Sequence, residues 1–423
     1  MVTHKYLDAC AADPALRDAV ASADLPEAYA AAWRKYLLPR PMFCAEDGIR
    51  RAADDLRRLF GLLTSLPDRL FGGDVRAFCG ALGMDEHRTG IMTRFAGDPV
   101  LYGRADMYQD EAGFRLMEFN VGSELGGVDV GDLNGPLLGT DAFGAFAADH
   151  GLAHVDTTAA IARQFVRATG KDDPVVATLE GVGGIAPYEA LHRSFQESMR
   201  RHGIDLVYGD VDQVQTRNGR LHLHGKPIDL VLRYYSPNQL ARDDRNVAPA
   251  ETVQRAHEEG RVVLWTPVSN GMFAYKSSLA LLSGADLDPD ERALVDRVLP
   301  WTRQLTRDLA EFVRAERDTM ILKPIAGLGG HGIRTGWDQT DREWAETVAE
   351  CLREPHIAQR RIVPNREPVM DRDGRVTDWT AVWGVFAFPD GYGGAFCRTV
   401  PANGGSVVNI GTTGARVASV FHH

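Results

Sequence analysis

The residues best suited to chemistry lie on two short segments, Arg104-Ala105-Asp106 and Glu118-Phe119-Asn120. Along a strand, residues two apart project to one face, so Arg104 goes with Asp106 and Glu118 with Asn120. A hairpin would let the two pairs converge. Asp106, Glu118 and Asn120 would then offer two carboxylates and an amide oxygen, hard donors that suit Mg²⁺ better than Zn²⁺. Magnesium keeps few protein ligands and completes its shell with phosphate oxygens and water. The same spacing also permits a plainer arrangement, an Arg104–Asp106 ion pair beside a solvated Glu118.

A second group of residues could hold anions. Leu322-Lys323-Pro324 runs into a glycine-rich loop containing Gly327, Gly329, Gly330 and Gly332. A lysine beside bare backbone N–H groups can cradle phosphate. The order Gly-Lys-[Ser/Thr] of a Walker loop is absent, and no helix opens directly behind the glycines, so neither common nucleotide fingerprint applies. A glycine-rich hairpin turn is the alternative. Lys276 heads an amphipathic helical pattern, where a surface lysine is the ordinary meaning. Gln359 and Arg360 lie on a strand pattern from which an amide could read an adenine edge, or which could be plain sheet. Arg398 and Arg233 sit on strands of otherwise apolar character, and a buried arginine needs an anionic partner: a substrate carboxylate or an internal acid. The histidines have no partners at metal-ligand spacing, and His422 and His423 read as native residues or as the remnant of a tag. Gly181-Val182-Gly183-Gly184 after a strand is a weak nucleotide signal.

The elements that must position these residues alternate in type. From Asp47, Ile49, Ala52, Leu56, Leu59, Phe60 and Leu63 recur at helical spacing until Pro67, which should end the helix. Strands are predicted over 100–108 and 113–120, joined by a turn at 109–112, and a helix over 157–169. Residues 174–265 read as a small α/β layer, with strands at 175–179, 204–208 and 229–235, a helix over 187–202, and an Asn218-Gly219 hairpin turn. The last third predicts strands at 320–324, 356–363, 379–388 and 394–400 and a helix over 341–353.

Composition narrows the class. The chain has 423 residues, 44% hydrophobic and 25% charged, an ordinary globular balance. A net charge of −11 disfavours nucleic acid and anionic membranes as partners. No apolar run approaches the roughly 20 residues of a membrane span. Five scattered cysteines without a Cys-x-x-Cys pair, and a first segment without a leader-like layout, lead us to expect a cytoplasmic protein with reduced thiols.

In this order, Arg104-x-Asp106, Glu118-x-Asn120, Lys276 at a helix start and Lys323 before a glycine-rich loop resemble the circularly permuted ATP-grasp ligases of the glutathionylspermidine synthase type. The Glu-x-Asn pair precedes the lysines by more than 150 residues, the reverse of ordinary ATP-grasp order. The resemblance covers roughly residues 98–405 and implies an α/β (α+β) fold. Its parts would be a helical N-terminal region (1–97), a metal-binding part (98–173), a pre-ATP-grasp domain (174–265) and a nucleotide-binding part with a lid (266–423). It implies ATP and Mg²⁺, with Asp106, Glu118 and Asn120 on the metal. Lys276, Lys323, Gly327, Gly329, Gly330 and Gly332 would lie on the nucleotide, and Arg104 and Lys323 would act in catalysis; from their strand positions alone, Gln359 and Arg360 join the nucleotide set and Arg398 the catalytic one. The implied reaction is an ADP-forming carboxylate–amine ligation through an acyl phosphate, joining amino acids or short peptides by a peptide or γ-glutamyl bond. An ATP-dependent phosphotransferase and a non-catalytic nucleotide-binding protein are the alternatives. The family's Asn-Ala-Asp-Thr-Pro stretch is replaced here by Asn120-Val121-Gly122-Ser123-Glu124. That stretch borders the acyl-substrate site, so Ser123 and Glu124, with Arg233, are the candidate substrate contacts, and glutathione and spermidine are not carried over.

Overall fold

The computed structural model describes residues 1–325, 331–403, 408 and 414–423. Its largest element is a seven-stranded sheet in the order Met42–Cys44, Arg416–His422, Gly391–Pro401, Val376–Phe388, Gly103–Asp110, Gly113–Asn120, with Arg366–Met370 also paired to Val376–Phe388. Val376–Phe388 has 13 residues, long enough to hold Arg366–Met370 along its first part and Gly103–Asp110 along its last. Side chains alternate across it. Trp383, Val385 and Ala387 enter one core with the long helix Glu46–Phe71, while Phe386 and Phe388 enter another on the opposite face.

The helix Glu46–Phe71 runs through Pro67 rather than ending there. Proline removes one backbone bond, but Pro67 lies near the end of the helix and is buried with Leu63 and Leu66. The stop is Gly72, left-handed at φ +59°, whose N–H caps Asp68. Two strands had no legible pattern: Met42–Cys44 and Arg416–His422, which pair in parallel. His422 belongs to this strand and is 2% exposed, so it is part of the sheet.

Residues 174–265 form a four-stranded parallel sheet, Val263–Trp265, Leu230–Arg233, Val175–Glu180, Asp205–Asp210. Its central strands are buried almost throughout, as parallel strands are when both faces are covered. The helices Thr157–Thr169, Glu189–Arg201 and Val247–Glu258 accompany it. The Asn218-Gly219 turn has φ +49° and +77°, positive at both positions as a two-residue hairpin requires. A third sheet, antiparallel, orders Thr302–Gln304, His356–Arg360, Met320–Pro324 and Arg334–Thr335, with Trp344 of the helix Asp341–Cys351 in its core. The chain is thus a mixed α/β protein. Among the described residues no helix is long and apolar enough to cross a membrane, and all five cysteines are buried and free.

Candidate functional site

A cleft of about 840 Å³ opens between the large sheet and the antiparallel sheet. Arg104, Asp106, Glu118, Asn120 and Arg398 line its floor, and Lys276, Lys323, Gln359 and Arg360 line its other side.

The floor depends on one irregularity. In Gly113–Asn120, Phe114 and Leu116 point into the core, and strict alternation would send Glu118 after them. The register instead shifts between Asp106 and Met107, so that Asp106 lies opposite Glu118 while Met107 lies opposite Leu116. Met117 is the extra residue of this bulge. Beyond it Phe119 and Val121 take over the core face, and Glu118 and Asn120 turn to the cleft beside Asp106 and Arg104. The face also brings in Tyr108, two residues past Asp106, which spacing could have found; burial pushes its phenol up to about 12.

Asp106 is gripped by two guanidinium groups. Arg104 donates Nε–H to Oδ1 at 3.0 Å and Arg398 reaches Oδ2 at 2.6 Å. Burial would raise the carboxyl, but Arg104 and then Arg398 hold it down at about 2. Arg104 also donates to the Gly126 carbonyl at 2.7 Å and lies over the Phe396 ring. Room for this comes from Gly384, where a Cβ would stand 3.2 Å from Arg104 Cδ and 2.8 Å from the Phe396 ring.

Lys276 is the first residue of the helix Lys276–Gly284, which is buried on nearly every side, so it is no surface lysine. It is 7% exposed, and its Nζ donates to Glu118 Oε1 at 2.9 Å. A cation at a helix N-terminus opposes the helix dipole, so the helix gains nothing from it; carboxylates or a bound anion must compensate. Lys323 is 6% exposed and donates to Gln359 Oε1 at 2.7 Å and to the Met117 carbonyl at 3.4 Å. Burial, aided by nearby Lys276 and opposed by Glu118 and Asp106, lowers it to about 8.

Other expected residues stand differently. Gln359 lines the cleft with its carboxamide engaged at both ends, by Lys323 and by Thr302. Arg360 is half-exposed at the cleft near Glu316. Gly327, Gly329 and Gly330 lie outside the described residues; Gly332 is left-handed at φ +77°. Arg233 does not face the cleft. It is fully buried, and its guanidinium donates to the carbonyls of Gly122, Tyr235, Thr266 and Pro267, with Glu124 at 3.9 Å. A substrate carboxylate has no route to it. Ser123 is also fully buried, with φ +121° and its hydroxyl donating to the Arg233 carbonyl, so it too is a brace. The brace supports Glu124, which does line the cleft and whose carboxyl burial pushes up against the pull of Arg233. Accordingly, Arg233→Leu is expected to cost on the order of 3 kcal/mol, because several carbonyls lose their donor inside the protein. Urea denaturation checks this; unchanged stability with a raised KM would point to a substrate contact instead.

The glycines after Val175–Glu180 carry no anion site. The N–H groups of Gly183 and Ile185 are already held by Asp210, and that of Val182 by Asn246. Spacing gave no sign of Trp33 and Leu191, which wall the cleft from distant helices, or of Trp337, which stacks on Arg361 at 4.2 Å. Trp33 is fixed by an indole N–H donated to Asp129 at 2.9 Å; burial and Asp132 raise that acid to about 6.

Two carboxylates and one amide oxygen on a single sheet face fit a hard divalent cation that brings further oxygens with it. Asn120 gives its amide N–H to the Arg104 carbonyl at 3.3 Å, which leaves its oxygen for a ligand. Among the described residues no three His, Cys, Asp or Glu cluster tightly enough to hold a metal alone.

No family model matches the chain, and no curated protein matches it. Among solved structures it is similar to a glutathione synthetase-like effector from Globodera pallida in its apo form, with a TM-score of 0.54 and 13% identity, over 92% of this chain and 90% of that one. It also aligns with a D-cycloserine synthetase at 17% identity over 51% of this chain and 70% of the other, with a TM-score of 0.25, too slight a likeness to argue from. At such identities a likeness speaks for fold alone: across most of its length the chain shares the architecture of a glutathione synthetase-like protein.

Proposed function

We propose that the protein is an ADP-forming carboxylate–amine ligase with a circularly permuted ATP-grasp arrangement. One observation carries this reading. Arg104, Asp106, Glu118 and Asn120 share a cleft with Lys276 and Lys323, although more than 150 residues separate the two sets. The described lining of the cleft carries seven lysines and arginines against four carboxylates, a positive recess suited to a polyphosphate. Lys276 and Lys323 would hold nucleotide phosphates from one side. Arg104 and Arg398 would face the transferring phosphoryl group and the carboxylate that receives it, stabilising charge as it moves. Asp106, Glu118 and Asn120 would hold Mg²⁺, which when bound neutralises phosphate charge. Glu124, also on the cleft lining, would meet the ammonium of the incoming amine and accept its proton. The acid and amine would be small, amino acids or short peptides.

The products test the reading. Chromatography of nucleotides after incubation with ATP, Mg²⁺ and paired amino acids is expected to show ADP and phosphate, formed only when both acid and amine are present. AMP as the main product would reject it. A stable phosphorylated acid formed without amine would replace it with a phosphotransferase.

A further inference from the structure

Lys323 has an unusual companion. Its buried ammonium meets the oxygen of a neutral amide, Gln359, itself 1% exposed. The amide cannot turn over freely. Thr302 donates its hydroxyl proton to the Pro300 carbonyl at 2.7 Å, so its oxygen can only accept from Gln359, and Gln359 Nε2–H donates to it at 3.0 Å. With the nitrogen end fixed, Oε1 must face Lys323. Thr302 is paired directly with Gln359 across the neighbouring strands, and on the other side Gln359 is paired with Ile321, two residues before Lys323 on the same strand face, so the sheet sets the position of Thr302, Gln359 and Lys323.

We infer that Gln359 is a positioning residue: it aims Lys323 into the cleft while leaving the lysine's charge uncancelled. Other partners would do one without the other. A carboxylate at position 359 would aim the lysine but neutralise it, and an apolar side chain would leave the buried ammonium with only the Met117 carbonyl among the described residues. The charged groups around Lys323 are Glu118 and Asp106 from the hairpin and Lys276 from its helix. Glu118 is already engaged by Lys276, so an amide at 359 preserves the positive excess at this end of the cleft. This inference rests on the proposed function only where it concerns nucleotide binding.

The chain has six lysines, few enough to be resolved by NMR in protein labelled on lysine, with Lys323→Arg identifying the signal. In the full-length protein the Lys323 signal is expected to titrate near pH 8. Gln359→Leu should move that midpoint down by about one pH unit, because the ammonium loses its acceptor, and Gln359→Glu, which keeps the side chain's shape, should move it up. A smaller downward move is expected for Thr302→Val, which releases the amide. A midpoint unmoved in Gln359→Glu and Gln359→Leu overturns the inference, whether or not the protein uses ATP. In the functional arm, both Gln359 variants should weaken ATP binding about tenfold by calorimetry, one through lost aim and one through lost charge. Unchanged affinity in a wild-type protein that binds ATP would overturn the inference as well. A wild type that binds no ATP removes the proposed function and leaves the NMR result to decide the positioning.

Discussion

Replacing Glu118 by Gln is expected to lower ATP-dependent turnover by at least about 10²-fold in a protein that still folds. The side chain faces the cleft and the core on that strand is carried by Phe119 and Val121, so packing should survive. Gln keeps an oxygen for Lys276, whose Nζ is 2.9 Å from Glu118 Oε1. What disappears is one of two carboxylate charges on the floor, and preorganised charge in a water-poor site contributes far more than the same charge in water. ADP release at saturating Mg²⁺, with a thermal melt alongside, measures both parts. Near-normal turnover would remove Glu118 from the site.

Arg104→Lys is expected to slow the reaction by about 10²–10³, the usual range when a group aimed at developing negative charge is removed. The change is not conservative. The guanidinium holds Asp106 and the Gly126 carbonyl together while lying over Phe396, and one ammonium cannot span those partners. If the role is specific to the transition state, kcat should fall with little change in KM. A rise in KM alone would instead mean ground-state binding. The variant should also be less stable at neutral pH, with a flatter pH profile. Asp106, held at about 2, contributes stability that is present above the ordinary carboxylate range and lost as pH falls toward that value. With a weaker partner in place of one arginine, its pKa rises toward the unfolded value, so less stability is present at neutral pH and less is lost on acidification. Equilibrium unfolding between pH 3 and 7 measures it.

Much of the local structure was legible because it depends on local physics. Helical periodicity located Thr157–Thr169, and its Asp156 cap and Gly170 stop close it at both ends. Asn218-Gly219 marked a hairpin because both residues tolerate positive φ. The strand Met320–Pro324 lies where an apolar run predicts it. Pro67 misled, since proline ends a helix only when nothing outweighs the lost bond, and there the burial of Leu63, Leu66 and Pro67 itself outweighs it. The strand Met42–Cys44 was not legible, because its partner, Arg416–His422, lies more than 370 residues away.

The candidate site divides along the same line. By itself the sequence determined which groups are available: an acid pair with an amide, two lysines, arginines within apolar strands, all named by type and spacing. It also set the alternation that puts Arg104, Asp106 and Tyr108 on one face, since that follows from strand geometry alone. Only the tertiary structure decided where Glu118 points, because the bulge at Met117 arises from pairing with Gly103–Asp110 and reverses what alternation would give. Tertiary packing likewise separated two arginines that the sequence left alike. Arg398 ends beside Asp106 in the cleft, and Arg233 ends among backbone carbonyls that no local pattern announces. Side-chain type and period are properties of a short segment; a guanidinium's partner is a property of whichever distant strand the fold sets beside it.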